Sequence, residues 1–87
     1  MREEIKDDRN RVIGKIERYP NGSVKVFSFG GSWIGELKPE GSMVVAEDKH
    51  FHKIAYWDSR NNTTYDYQSR REIGKGNLLV DMILSQE

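Results

Sequence analysis

Along this chain, isoleucine followed by a very small residue recurs four times, as Ile13-Gly14, Ile34-Gly35, Ile54-Ala55 and Ile73-Gly74, at intervals of 21, 20 and 19 residues. Eight residues before each pair stands another residue suited to a half-buried strand or core: Ile5, Val26, Ala46 and Tyr65. Three residues after each isoleucine come Ile16, Leu37, Trp57 and, in a degenerate last copy, Gly76. Polar, turn-rich stretches separate the paired apolar positions at 7–11, 28–32, 48–52 and 67–71, and each reads as a hairpin tip. Between copies, Tyr19-Pro20-Asn21-Gly22-Ser23, Pro39-Glu40-Gly41-Ser42 and Ser59-Arg60-Asn61-Asn62-Thr63 carry the Pro, Gly and Asn of connecting turns. The intervening segments are rich in β-branched and apolar residues and too short for stable helices. The pattern predicts an all-β fold: four β-hairpin repeats of about 20 residues (3–20, 23–40, 42–60 and 63–77) in one domain spanning 1–87.

A small residue inside a strand weakens it, so Gly14, Gly35, Ala55 and Gly74 need a cause, and close approach of neighbouring main chains supplies one. The offset from Ile13 to Ile16 is odd, so either a bulge interrupts the alternation or both faces are covered there. Four such kinks would let four hairpins splay from a crowded centre in a pseudo-four-fold arrangement. Residues 78–87 differ, because Leu78, Leu79, Val80, Met82, Ile83 and Leu84 surround a single Asp81. With Asn77 placed to cap it, this tail is predicted as a short apolar helix, a final strand being the alternative. It must be buried, either by plugging the hairpin array or against another chain.

The repeat, carried by Ile13-Gly14-Lys15-Ile16, Ile34-Gly35-Glu36-Leu37 and Ile73-Gly74, resembles the four-fold β-flower family over about residues 3 to 77. That resemblance implies a small, mostly bacterial domain with pseudo-four-fold symmetry and no assigned activity. Copy three departs from the pattern with Ala55 and Trp57, and copy four with Gly76, so strict symmetry is not implied. The resemblance carries a fold and no chemistry.

Composition narrows the partners. Lys and Arg number 14 and Asp and Glu also 14, so no global field steers the chain to nucleic acid or an anionic membrane. Cysteine is absent, which removes disulfides and thiolate chemistry. The charged start Arg2-Glu3-Glu4 and the lack of any long apolar run predict a cytoplasmic chain that does not span a membrane.

Asp48, His50 and His52 alternate, so an extended strand would gather them as metal ligands. The same tip positions elsewhere hold Arg9 and Arg11, Gly30 and Ser32, and Ser69 and Arg71, which favours a solvated tip, and no cofactor is expected. Gly30-Gly31-Ser32 lacks the residues of a phosphate loop and reads as a tight turn. No spacing assembles a nucleophile with a base, so catalysis is not expected. From Lys49 to Gly76, Lys49, Lys53, Arg60, Arg70, Arg71 and Lys75 outnumber Asp58, Asp66 and Glu72, among Tyr56, Trp57, Tyr65 and Tyr67. Cations and rings of this kind could hold single-stranded nucleic acid, although Trp57 and Tyr65 occupy columns filled elsewhere by core residues. The first reading is a non-catalytic protein-interaction or assembly module using exposed aromatics such as Tyr19, Phe29, Trp33 and Phe51, with a homo-oligomer through the tail as one form of it. The candidate binding residues are Trp33, Tyr56, Arg60, Tyr67, Arg70 and Arg71, and a nucleic-acid site after Lys49 is the alternative.

Overall fold

A computed structural model describes residues 2–86. Eight strands, β1 (Arg2–Lys6), β2 (Val12–Arg18), β3 (Val24–Ser28), β4 (Trp33–Glu40), β5 (Met43–Asp48), β6 (Lys53–Asp58), β7 (Thr63–Asp66) and β8 (Glu72–Lys75), precede one short helix, α1 (Leu79–Leu84). The strands form one antiparallel sheet in chain order, so β1 and β8 are its two edges. Every turn foreseen in the sequence, four tips and three connectors, joins two neighbouring strands.

The register explains the isoleucines. Ile5 faces Gly14 while Lys6 faces Val12, so Ile13 has no cross-strand partner. The same slip leaves Ile34 unpaired between Gly35 and Trp33, Ile54 between Ala55 and Lys53, and Ile73 between Gly74 and Glu72. Each isoleucine is therefore the extra residue of a β-bulge, which accounts for the odd offset to Ile16. An extra residue is re-aimed, and its burial then depends on what lies beside it. Ile34 is buried under the helix, Ile54 is half-buried, and Ile13 and Ile73 in the outer hairpins remain 38% and 43% exposed.

The fourth hairpin corrects one expectation. Its residue opposite the small position is Thr64, not Tyr65, because this tip is one residue longer. The N–H of Asp66 donates to the carbonyl of Arg71, five residues on, whereas Asp7, Ser28 and Asp48 donate to Arg11, Ser32 and His52, four residues on. A slip of one residue moves a side chain to the opposite face, and Tyr65 moves with it.

The small residues are needed both by the sheet and by the tail. A Cβ on Gly35 would stand 2.7 Å from the Glu47 carbonyl oxygen and 2.8 Å from Ile83 Cγ2. One on Gly14 would meet Leu84 Cδ2 at 2.5 Å and the Phe27 carbonyl at 2.8 Å, and one on Gly74 would meet Leu78 Cδ1 at 2.9 Å. The tail thus touches strands from β2 to β8, which requires the sheet to curl around it. Its helix packs against β3, β4, β5 and β6, and Leu79 and Ile83 are enclosed among Ile16, Val24, Val26, Ile34, Leu37, Ala46 and Ala55.

Polar groups fasten the tail. Asn77 Oδ1 accepts the N–H of Leu79 at 3.1 Å, as a cap should. The hydroxyl of buried Thr64 donates to the Gly76 carbonyl at 2.6 Å and accepts the N–H of Leu78 at 3.1 Å. Of the two destinations open to the apolar tail, its own sheet is the one it occupies. Among the described residues, no helix is long and apolar enough to cross a membrane.

Candidate functional face

With the centre of the inner face covered by α1, aromatic and charged side chains gather on the outer face. Cross-strand pairing builds this face in rows: Arg2 with Glu17, Glu17 with Lys25, Lys25 with Glu36, Phe27 with Trp33, Val45 with Tyr56, and Tyr56 with Tyr65. The rings meet across these rows. Tyr56 stacks on Tyr65 with centroids 5.1 Å apart and meets the edge of Tyr67 at 6.2 Å, while Trp33 and Phe51 lie 5.4 Å apart.

Cations sit over the rings. The Arg70 guanidinium lies 5.3 Å from the Tyr56 centroid and 5.2 Å from that of Tyr67, and Lys53 Nζ is 5.5 Å from Tyr67. At the other end Arg2 stacks on Phe27 at 3.9 Å and pairs with Glu17 at 3.4 Å. The Tyr19 hydroxyl donates to Glu17, which holds that carboxyl below its usual range and pushes the tyrosine up.

Two open grooves share Phe51 as a common wall. One, of about 490 Å³, is lined by Phe27, Trp33 and Phe51 with Tyr19, Arg2, Lys25, Glu17 and Glu36. The other, of about 620 Å³, lies between the third and fourth hairpin tips and is lined by Phe51, His52, Lys53, Tyr67, Gln68 and Arg70. Among the described residues, the indole N–H of Trp33 is the one buried side-chain polar atom without a hydrogen-bond partner.

The tips that hold these side chains share a backbone conformation. Asn10, Gly31, Phe51 and Arg70 occupy corresponding positions in the four tips, and all have positive φ, at 63°, 95°, 64° and 64°. Glycine and asparagine accept this region readily, whereas phenylalanine and arginine do so at a cost of roughly 1 kcal/mol or more. Each tip is also tied by its first residue. Asp7 Oδ1 accepts the N–H groups of Arg9 and Arg11, Asp48 Oδ1 those of His50 and His52, and Asp66 Oδ1 those of Gln68 and Ser69, while Ser28 Oγ accepts that of Ser32.

Not every sequence candidate lands here. Trp33, Tyr56, Tyr67 and Arg70 come together on the outer face, joined by Phe51, Lys53 and Tyr65. Tyr65 was expected in a core column and is on this face because of the longer fourth tip. Trp57 does pack against the core, with its N–H donated to Asn62 Oδ1 at 3.0 Å. Arg60 lies in the β6–β7 connection, where it grips Asp58 through two side-chain hydrogen bonds of 3.1 and 2.9 Å. Arg71 is exposed, and its carbonyl closes the fourth tip.

Asp48, His50 and His52 sit at the end of β5 and in the turn after it, with the left-handed Phe51 between the two histidines, so strand alternation does not gather them. The Asp48 carboxylate is committed to the turn, and among the described residues no group of three His, Asp or Glu side chains is arranged to hold a metal ion. Comparison with known proteins gives no matching family model, no matching curated protein and no matching solved structure.

Proposed function

We propose that this domain is a non-catalytic interaction module that takes an extended segment of a partner protein across the outer face of its sheet. One observation carries the reading: Trp33, Phe51, Tyr65 and Tyr67 leave ring surface open on one face, seated on the buried rings of Phe27 and Tyr56, while the helix covers the centre of the reverse face. Rings gain much contact area for little lost rotamer freedom, and together with Arg they are the usual anchors of protein interfaces. Phe51 fits this role best, being 67% exposed at a position where the backbone favours glycine.

The test is selection of a displayed random-peptide library on the folded domain, with the hits measured by fluorescence polarisation. Micromolar peptides that lose about tenfold or more on Phe51→Gly and Tyr67→Ala support the module, that loss being typical of an aromatic anchor. An empty selection, or hits that bind both variants as well as the parent, would overturn it.

A second reading, single-stranded nucleic acid, is favoured by Lys53 and Arg70 lying over tyrosines on this same face. Oligonucleotide anisotropy at low salt decides between the two, since phosphate binding weakens steeply as salt rises. We further propose that the four hairpins are copies of one unit in the four-fold β-flower manner, supported by the recurring bulge and left-handed tip. Assembly through the tail is not carried forward, because Leu79 and Ile83 are enclosed by their own sheet.

A further inference from the structure

We infer that the segment bound across the outer face carries an aspartate or glutamate that seats between the third and fourth hairpin tips. The inference rests on the peptide-binding reading above and names the chemistry of its occupant. It starts from the charges lining the groove of about 620 Å³, which are Lys53, Arg70 and His52, with no acid among them.

Elsewhere on the sheet several cations are answered by acids, Arg2 by Glu17, Arg18 by Glu3, Lys38 by Glu47 and Lys75 by Glu72, while Lys25 lies over the ring of Tyr19 as a single unanswered charge. Among the described residues, Lys53 and Arg70 have no carboxylate within salt-bridge distance, and only ring faces hold them in place. His52 has one, Asp48, at 3.7 Å. Glu47 stands opposite Lys53 but is taken by Lys38, so two cations positioned by Tyr56 and Tyr67 without an ion-paired carboxylate form a preorganised anion site, and a guanidinium is well shaped for a carboxylate.

The backbone supports the same reading. Phe51 and Arg70 build two walls of this groove from left-handed tip positions that hold Asn10 and Gly31 in the first two hairpins. Those side chains are kept where the chain folds more easily without them, and both point to the same cleft.

The surroundings decide which anion. Along the rest of the outer face the charges are mixed, with Glu17, Glu47 and Glu72 paired to Arg2, Lys38 and Lys75 and Glu36 opposite Lys25, so no continuous cationic track leads a polyphosphate away from the cleft. A peptide carries its charge at one side chain and can continue as an apolar chain. The adjoining groove, floored by Phe27 and Trp33 across the Phe51 wall, suits a bulky apolar neighbour.

The experiment takes an acid-containing peptide from the library selection and its amide counterpart, Asp to Asn or Glu to Gln, on the parent domain and on the Lys53→Gln/Arg70→Asn double variant. Asparagine keeps the left-handed tip of position 70 accessible, and near-ultraviolet circular dichroism checks that the variant is folded. On the parent the amide peptide should bind about tenfold more weakly, the loss expected of one charge-assisted contact. On the double variant that difference should collapse toward unity, the signature of direct coupling.

Equal binding of acid and amide peptides to the parent overturns the inference while leaving the module reading intact. A penalty that persists in the double variant also overturns it, by moving the acid elsewhere. A single-stranded oligonucleotide that displaces the peptide from this cleft at lower concentration than the free acid peptide assigns the cleft to phosphate and sinks the inference. No peptide binding of any kind removes the module reading itself.

Discussion

The two faces of the sheet are built from the same strands under opposite rules. On the inner face small residues are required: Gly14, Gly35 and Gly74 sit where any side chain would strike a neighbouring carbonyl or the tail, and buried aliphatic residues fill what remains. On the outer face large residues are retained even where the backbone disfavours them, as at Phe51 and Arg70. One face is specified by exclusion of volume and the other by its display. Mutations should therefore separate, with inner-face changes and those at the buried Phe27, Val45 and Tyr56 reading out as stability, and changes at the open outer-face residues Phe51, Tyr67 and Arg70 as binding.

The strongest test of that separation is Leu79→Ala. It removes a fully buried side chain from the centre of the inner core and should cost about 2–5 kcal/mol in urea unfolding. Peptide affinity of the still-folded fraction should be unchanged, and a large loss of affinity would show that the faces are coupled.

Gly35→Ala is the next largest. Its Cβ would stand 2.7 Å from a main-chain oxygen that cannot swing away, and over-packing of this kind costs about 1–3 kcal/mol. A stability equal to the parent's would mean that the sheet opens freely at the bulge.

Phe51→Gly should behave in the opposite sense. Relief of the left-handed φ offsets the lost ring contact with Trp33, so stability should stay level or rise by up to about 1 kcal/mol while peptide binding falls. A clear destabilisation would reassign Phe51 to the structural side of the comparison.

The smallest effect concerns the tips on which the outer face is mounted. Hydrogen bonding from the Arg11 N–H lowers the carboxyl of Asp7, that from the Ser69 N–H lowers Asp66, and the Arg60 side chain lowers Asp58. At Asp48 burial raises the carboxyl, but the N–H groups of His52 and His50 outweigh it and the net shift is downward. Carboxyls depressed in the folded state contribute stability that is complete well above the unfolded value and is lost as pH falls through the folded values. Melting temperature should thus hold through neutral pH and drop from about pH 4 downward. Asp66→Asn should reduce that drop slightly, as expected for exposed groups, and an unchanged acid slope would show that this carboxylate does not hold its tip.

Much of the inner face was legible in the sequence, because exclusion leaves a mark at fixed spacing. The Ile-small pairs located four hairpins, Pro, Gly and Asn located the connectors, and Asn77 before an apolar run located the helix. Which isoleucine would be buried was not legible, since a bulged residue leaves the alternation and its burial depends on whether the helix reaches it, as with Ile34 against Ile73. The outer face was readable residue by residue but not as an assembly. Tyr56, Tyr67 and Arg70 were identifiable as candidates, yet their convergence depends on cross-strand register. One extra residue in the fourth tip sufficed to misplace Tyr65. Arg60 does not join the outer-face group for a local reason, because it lies in the β6–β7 connection and its partner Asp58, two residues away, claims its guanidinium. Lys53 and its place over Tyr67 left no signal beyond its position just after a tip.

The order of the elements along the chain has a consequence for how the molecule is made. All eight strands leave the ribosome before the segment that covers their concave side, so a growing chain carries an incomplete core until Leu79 and Ile83 emerge. During that interval the nascent sheet is a sticky half-shell with two open margins, the state in which chaperones or neighbouring chains would find it. Completion of the core then waits on the turn and a half of helix that follows β8, and slow translation of that stretch would lengthen the exposure.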